Sequence, residues 1–177
     1  YLRDLETDGS VRAVLLDIDS PGGAPQAALE IEEAVKDTGK PTVALIRGYG
    51  DSAAYWVATA AKTIIASPES DVGSIGVTSS FTDNAKQNAE LGITYHSIST
   101  GKYKDIGDPN KPLTEDEKAQ IQKSLFTTFE HFIKTVSENR GMPIERVREL
   151  ADGSSWLGEE ALTLGLIDKL GTYKDAI

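Results

Sequence analysis

The sequence predicts an α/β fold in which a mainly parallel sheet is flanked by helices. The first observation is a repeated unit: an apolar run typical of a strand covered on both faces, a short loop with glycine, and a segment of helical period. The second is that two such units follow one another between residues 11 and 66, as in parallel sheets. With 177 residues, 39% of them hydrophobic, the chain is expected to form one domain, residues 1–177, with a full core.

The first unit begins after a short polar segment, Tyr1 to Gly9, which we interpret as the end of a helix that Gly9 stops. The run Val11 to Ile18 predicts a buried strand, and it leads directly into the loop Asp19 to Gly23. A helix is predicted next, with Ala28, Ile31, Ala34 and Val35 on its apolar face and Glu30, Glu32, Glu33 and Lys36 elsewhere. The sequence Gly39-Lys40-Pro41 is expected to end it.

The second unit begins with a predicted strand, Thr42 to Ile46. Gly48 and Gly50 then predict a sharp, left-handed turn, because a Cβ would oppose such a bend. Ser52 lies where the chain would enter an Ala-rich buried helix, and the strand Thr63 to Ala66 closes the unit.

The remainder of the chain contains shorter predicted elements and one long helix. Predicted in order are an irregular strand at 72–77, a short helix at 83–91, a strand at 93–98 and a long polar loop at 99–113. The capping box Thr114 to Glu117 predicts the start of the longest helix, which ends at Gly141. A helix opened by Pro143 and a closing helix and strand at 156–168 complete the core.

Composition excludes several function classes. A formal net charge of -10 argues against binding to nucleic-acid phosphates. The chain has no cysteine and two histidines, so neither thiolate chemistry nor a multi-histidine metal site is expected, and no cofactor is predicted. No apolar run has the length of a transmembrane span. Because the chain opens on Tyr1 rather than Met, inside sequence that already looks structured, we expect a fragment whose upstream part has been removed.

Ser52 has two possible roles at its strand-to-helix junction. As an N-cap, its Oγ would accept a hydrogen bond from a backbone N–H of the first helical turn. As a nucleophile on a tight elbow, its hydroxyl would be exposed and nearby amides would hold an oxyanion. The local sequence alone leaves both roles open.

A serine nucleophile needs a base within hydrogen-bond reach, and the histidines are weak candidates. His131 lies off the apolar stripe of the long helix and is predicted to be a solvated surface residue. His96 falls in a predicted strand and could lie on either face. No aspartate is placed by the sequence to orient either ring, so a Ser-His-Asp triad is unsupported.

A lysine can serve as the base where burial removes its ammonium from water and lowers its pKa. Lys104 lies in the long loop between Tyr103 and Ile106, where apolar material is available to shield it. Lys102 is a competitor two residues away. Asp105 would oppose deprotonation, although in an extended segment its side chain would point away from that of Lys104.

The turn Pro21-Gly22-Gly23 is the third piece of a possible site. Its glycines match neither a dinucleotide-binding nor a Walker A pattern, so nucleotide binding is a weak interpretation. Bare backbone at such a turn can instead direct an N–H towards a carbonyl oxygen. Together with the N–H of Ala53, it would form a two-donor oxyanion hole.

Four motifs together resemble one known family. They are Asp19-Ser20-Pro21-Gly22-Gly23, the segment Gly48 to Ala58 that bears Ser52, Val72-Gly73-Ser74-Ile75-Gly76-Val77, and Gly101-Lys102-Tyr103-Lys104-Asp105-Ile106. Their order and spacing resemble signal peptide peptidase A, the protease IV group of Ser-Lys peptidases with a ClpP/crotonase-type fold. The similarity extends over nearly the whole chain, to the closing segment at 165–171.

The resemblance implies a role for each matching residue. It makes Ser52 the nucleophile and Lys104 the general base, with Ser74 orienting that lysine and the Gly23 and Ala53 amides forming the oxyanion hole. One departure is visible. Family members commonly carry Ala-Ser-Gly-Gly-Tyr around the nucleophile, whereas here Asp51 precedes Ser52 and Ala53-Ala54 replaces the glycine pair.

The resemblance also implies a cellular setting. It implies a homo-oligomer on the outer side of the cytoplasmic membrane, held by an N-terminal anchor, in which serine and lysine can come from neighbouring protomers. The implied substrates are released signal peptides and other unfolded or hydrophobic peptides. Two alternatives stay open: an inactive scaffold of the same fold, for which the departures at Asp51 and Ala53-Ala54 are the hint, and a crotonase-like acyl-CoA enzyme.

Overall fold

The computed structural model of the protein describes residues 2–177. These residues form two compact units, one comprising the chain up to Gly76 together with Phe129–Ile177, the other comprising Val77–Thr128. The helix end expected before Gly9 is a short 3-10 helix, Leu2–Leu5, while Tyr1 lies outside the described residues.

The first unit contains a sheet that is parallel at all but one pairing. Its strands are β1 (Val14–Ser20), β2 (Thr42–Asp51), β3 (Thr63–Ala66), β4 (Asp71–Gly73), β5 (Ser155–Leu157) and β6 (Lys169–Leu170). The order is β5-β4-β2-β3-β6, and β1 also pairs with β2. Only β4 and β5 run antiparallel. The predicted α/β fold with a mainly parallel sheet is therefore confirmed.

The α-helices of the described residues are α1 (Pro25–Asp37), α2 (Ala53–Thr59), α3 (Ala85–Glu90), α4 (Glu115–Arg140), α5 (Ile144–Leu150), α6 (Gly158–Leu164) and α7 (Tyr173–Ala176). The capping box predicted for α4 is present, since Glu117 accepts the Thr114 N–H and the Glu117 N–H donates to the Thr114 hydroxyl. None of the helices in residues 2–177 is both long and apolar enough to cross a membrane.

The predicted left-handed turn at Gly48 and Gly50 is wrong, because β2 continues through both residues to Asp51, although its pairing with β1 shifts register between Ile46 and Gly50. Neither glycine has a positive φ. They provide space instead: a Cβ at Gly48 would lie 2.7 Å from Asp19 Oδ1. A Cβ at Gly50 would lie 2.5 Å from Ile46 Cδ1. Glycine therefore allows close packing at an irregularity in this strand, where the register of β2 against β1 shifts.

The core of the first unit lies between the sheet and its helices, and Trp56 of α2 stacks on Phe132 of α4 with ring centroids 4.8 Å apart. The predicted apolar face of α1 is partly wrong. Ile31 is exposed, whereas Glu32 is buried and accepts hydrogen bonds from Trp56 Nε1 and Asn139 Nδ2. A carboxylate can occupy this position because its oxygens are hydrogen-bonded.

The second unit contains α3, the first part of α4 and irregular chain. The short helix expected at 83–91 is confirmed by α3. The strand expected at 93–98 is wrong: none of the strand pairs in residues 2–177 includes this segment, and Ile98 is 99% exposed. A β-rich composition forms a strand only where a neighbouring strand supplies the hydrogen bonds.

Candidate active site

Ser52 forms the junction between β2 and α2 in a conformation that is uncommon for a residue with a side chain. Its backbone angles are φ 52 and ψ -124. Its N–H donates to the Gly73 carbonyl at 2.8 Å and its own carbonyl accepts the Trp56 N–H at 2.9 Å, which holds the strained bend in place. The sharp turn of this motif therefore lies at the serine itself.

The Ser52 hydroxyl makes no capping hydrogen bond to α2. The N-cap interpretation of Ser52 is therefore wrong. The residue is half-buried, and its Oγ makes no capping bond or other side-chain hydrogen bond within the described part of the chain. A tight strand-to-helix bend also carries the serine of a nucleophile elbow, but a serine nucleophile needs a base in addition, and no base is hydrogen-bonded to Ser52 within the described residues.

The Pro-Gly-Gly loop that follows β1 lies directly against this serine. Gly22 has a φ of 128, and a Cβ added there would lie 2.9 Å from Ser52 Cβ and 3.3 Å from Ser52 Oγ. The Ser20 hydroxyl fixes the bend, because it accepts the Gly22 N–H and donates to the Gly22 carbonyl. Gly22 and Ser20 thus position the loop. Gly23, the residue that the sequence analysis named as an oxyanion donor, follows them directly.

Two backbone amides near Ser52 have no hydrogen-bond acceptor among the described residues. Ala53 is the first residue of α2, so its N–H has no acceptor within the helix. The Gly23 N–H donates to no other backbone or side-chain group among residues 2–177. Gly23 itself is exposed, and a Cβ there would meet no atom within 4 Å.

A cleft of about 330 Å³ adjoins these amides. Apolar lining is contributed by α1 and α2, and the remaining lining comes from the end of β1 and the glycine loop. The lining residues are Asp17, Ile18, Asp19, Ser20, Gly22, Gly23, Ala24, Ala27, Ala28, Ile31, Ala53, Ala54 and Val57. The exposed Ile31 thus lines this concave surface rather than the core; Ser52 is not itself a lining residue, although its neighbour Ala53 is.

Asp51 is buried immediately before the serine. Burial raises the pKa of its carboxyl, the hydrogen bond from Ser155 lowers that pKa, and the charge of Asp71 raises it again, with a net increase. The Ser155 hydroxyl donates to Asp51 Oδ1 at 2.8 Å. The carboxyl group is therefore hydrogen-bonded to the first residue of β5.

Ser74 follows β4 and also has a positive φ, 48. Its N–H donates to the Ser154 carbonyl at 2.8 Å and its hydroxyl donates to the Gly153 carbonyl at 3.3 Å. In the chain by itself, Ser74 therefore ties the end of β4 to the loop before β5.

Lys104 belongs to the second unit. It is exposed and lies in a series of turns at residues 101–107, with its N–H donating to the Gly101 carbonyl. The expectation that this segment is extended is wrong. Lys102, the competing lysine, forms an exposed ion pair with Asp116 at 2.5 Å. Asp105 pairs with Lys111 at 3.1 Å.

Both histidines are exposed. His131 is exposed on α4, as predicted, and His96 is exposed in the irregular segment of the second unit. In residues 2–177, no group of three or more His, Cys, Asp or Glu side chains is arranged to hold a metal ion.

Comparison with known proteins shows the family of the chain. The sequence model described as Peptidase family S49 matches residues 34–177. The chain belongs to peptidase family S49. It is 41% identical over 180 residues to the putative protease MJ0651 of Methanocaldococcus jannaschii, covering 99% of this chain and 57% of that protein. It is also 30% identical to a putative signal peptide peptidase SppA of Enterococcus faecium, covering 99% of this chain and 52% of the relative.

Solved structures confirm the ClpP-like fold. A mutant of the 1510-N membrane-bound stomatin-specific protease, in complex with a substrate peptide, matches with a TM-score of 0.66 at 16% identity, covering 98% of this chain and 67% of that one. A ClpP1 mutant of Listeria monocytogenes matches with a TM-score of 0.61 at 14% identity, covering 99% and 86%. The chain spans little more than half the length of the curated relatives described above.

The sequence motifs contain Ser52, the glycine loop and the Lys104 loop, but the sequence analysis did not assign roles to the residues that support them. Gly22 and Ser20 belong to the quoted Asp-Ser-Pro-Gly-Gly motif, so the motif was the available signal. Nothing in the sequence indicates that Glu32 is buried, because its burial depends on partners that are distant in sequence.

Proposed function

We propose that the protein is a serine endopeptidase that uses Ser52 as nucleophile and Lys104 as general base. The observation that carries this proposal is the geometry of Ser52: a strained junction between β2 and α2, an uncommitted hydroxyl, and the Gly22 loop packed against it. Two unused amides, those of Gly23 and Ala53, lie beside it as oxyanion donors.

In the proposed reaction, Ser52 Oγ attacks the peptide carbonyl carbon while Lys104 Nζ takes the hydroxyl proton. The carbonyl oxygen becomes an oxyanion held by the Gly23 and Ala53 amides. The C–N bond then breaks, and Lys104 returns the proton to the leaving amine. Water attacks the resulting ester by the same base catalysis, which releases the acid and regenerates Ser52.

Lys104 is exposed in the single chain, whereas a lysine base must be held out of water. We therefore include a homo-oligomer in the proposal, in which a neighbouring protomer and the bound peptide cover the ammonium group. Ser74 is proposed to accept a hydrogen bond from this lysine in the assembled enzyme, in exchange for its contact with Gly153.

The cleft supports a substrate class. Ala27, Ala28, Ile31, Ala54 and Val57 present apolar atoms beside the oxyanion donors, so the cleft fits an apolar side chain next to the cleaved bond. We propose unfolded or hydrophobic peptides, including released signal peptides, as substrates. We further propose that the full-length protein works at the cytoplasmic membrane on its extracytoplasmic side, held by an N-terminal anchor.

Cleavage of a denatured protein and of a fluorogenic hydrophobic peptide tests this function. Ser52→Ala should reduce kcat/KM by about 10⁴-fold or more, because removal of a serine nucleophile leaves only binding and the oxyanion hole. Lys104→Met should reduce it similarly, whereas Lys102→Met should retain activity, since Lys102 pairs with an exposed carboxylate. Wild-type cleavage by Ser52→Ala would reject the proposal.

The buried Asp51 favours one alternative, an inactive scaffold of the same fold. Its carboxyl precedes the nucleophile, and ionisation would place negative charge near the developing oxyanion. A serine-directed fluorophosphonate separates the two functions. Labelling at Ser52 supports the peptidase, and failure to label in the assembled protein supports the scaffold.

A further inference from the structure

Lys111 lies between two carboxylates in the second unit. Its Nζ is 3.1 Å from Asp105 Oδ1 and 2.6 Å from Glu117 Oε1. The side chains are mostly withdrawn from solvent, with exposed fractions of 24% for Lys111, 20% for Asp105 and 5% for Glu117. This geometry is unlike that of the other lysine pairs of the unit, Lys102 with Asp116 and Lys118 with Glu115, which are exposed.

Glu117 is fixed independently of this lysine. Its Oε2 accepts both the N–H and the hydroxyl of Thr114 at 2.9 Å, in the capping box that begins α4. Lys111 therefore ties the turn at 101–107 to the rigid first turn of a 26-residue helix. Gly107 anchors the other end of the turn, because the Phe81 ring occupies the space that a Cβ at Gly107 would need.

Asp105 immediately follows Lys104, the proposed base. An uncompensated carboxylate there would stabilise the ammonium form of the lysine and so disable it as a base. The groups that face Asp105 are the Ser97 hydroxyl, Lys111, Tyr95 and Asp108. Of these, only Lys111 carries a positive charge.

The pKa directions of the cluster agree with this balance. The hydrogen bond from Ser97 and then that from Lys111 lower the pKa of Asp105, so its carboxyl is ionised at neutral pH. Glu117 is the largest cause of the raised pKa of Lys111, which keeps the ammonium charged. Lys111 is thus a cation over the same range of neutral pH in which Asp105 is an anion.

We propose that Lys111 is a positioning residue for the proposed peptidase: it neutralises Asp105 and fixes the turn that carries Lys104, so that Lys104 is a base at neutral pH. This inference rests on the proposed function, because it requires Lys104 to accept the Ser52 proton. Lys111 acts through Asp105 and is not itself a member of the proposed catalytic pair.

The pH dependence of kcat/KM in the assembled enzyme tests this role, because its acidic limb reports ionisation of the base. Lys111→Met should move that limb to higher pH by about 0.5 to 1 unit, the effect of one uncompensated nearby charge. Lys111→Arg should retain the wild-type limb. The double variant Lys111→Met with Asp105→Asn should restore the wild-type acidic limb, because the charges of both residues are then absent. Lys118→Met, which removes an exposed ion pair at the same helix end, is the matched control and should not move it.

A fall in rate for Lys111→Met with an unmoved limb would overturn the inference, since that result describes a structural residue only. If Lys111→Met does not fold, Asp105→Asn decides: a limb at lower pH supports the inference and an unmoved limb overturns it. Failure of the proposed function gives a different result. In that case Lys104→Met keeps the wild-type rate, whatever Lys111→Met does.

Discussion

Replacement of Gly22 by alanine tests whether the glycine loop positions Ser52. Gly22 has a φ of 128, a region that is essentially restricted to glycine, and adopting it costs an L-residue about 1–3 kcal/mol. The added methyl group would also lie 2.9 Å from Ser52 Cβ, an atom fixed by the strained backbone of β2 and α2. Overpacking of this kind adds about 1–3 kcal/mol. We therefore expect the free energy of unfolding to fall by about 2–6 kcal/mol.

The same substitution should lower activity more than stability alone explains. Relief of the clash moves the loop away from Ser52, and with it the Gly23 amide. Loss of one oxyanion donor reduces kcat by about 10²–10³-fold. Urea unfolding measures the stability change, and cleavage of a fluorogenic peptide at saturating substrate concentration, where the variant is folded, measures kcat.

Gly23→Ala is the matched control for stability, because its methyl group would meet no atom within 4 Å. It should unfold at nearly the wild-type urea concentration. If Gly22→Ala were as stable and as active as the wild type, the close approach of this loop to Ser52 would not exist in solution, and the reasoning about the oxyanion hole would fail.

Two further substitutions test the surroundings of the serine. The pKa of Asp51 is raised in the folded state, so its contribution to stability is present at low pH and is lost as the pH rises above about 4. Asp51→Asn should therefore melt at a higher temperature than the wild type at pH 7 but not at pH 3.5; an equal difference at both values would contradict this. Glu32→Ala should lower the free energy of unfolding by about 2–3 kcal/mol, because it leaves the Trp56 and Asn139 donors unpaired. Equal urea midpoints for Glu32→Ala and the exposed neighbour Glu33→Ala would show that this buried network contributes nothing.

The order of strands and helices in the first unit was predictable because hydrophobic periodicity reports burial directly. The run ending at Ile18 and the segment Thr63–Ala66 are strands, and the capping box predicted the start of α4. These features depend on residues close together in sequence. Local physical chemistry was therefore sufficient for them.

The features that were not predictable depend on distant partners. Residue 48 of β2 is a glycine because Asp19 of the adjacent strand occupies the space that a side chain would need. Glu32 is buried because Trp56 and Asn139 donate hydrogen bonds to it. The segment 93–98 has strand composition but no neighbouring strand among the described residues. In each case tertiary contacts override the local pattern.

The site was partly predictable for the same reason. Ser52 and the glycine loop could be identified from a motif, but whether the serine caps the helix or is free to react depended on its φ and ψ. The resemblance to a Ser-Lys peptidase suggested Lys104, while the neutralisation of Asp105 by Lys111 became visible only in the folded turn.

Acylation of the assembled enzyme tests the central claim most directly. An activated ester of a hydrophobic peptide would be mixed with the protein, and the adduct would be located by intact mass and peptide mapping. We predict one acyl group per active site, on Ser52, that is absent from Ser52→Ala and formed far more slowly by Lys104→Met at neutral pH. An adduct on another residue, or equal acylation of Ser52→Ala, would contradict the assignment of Ser52 as the nucleophile.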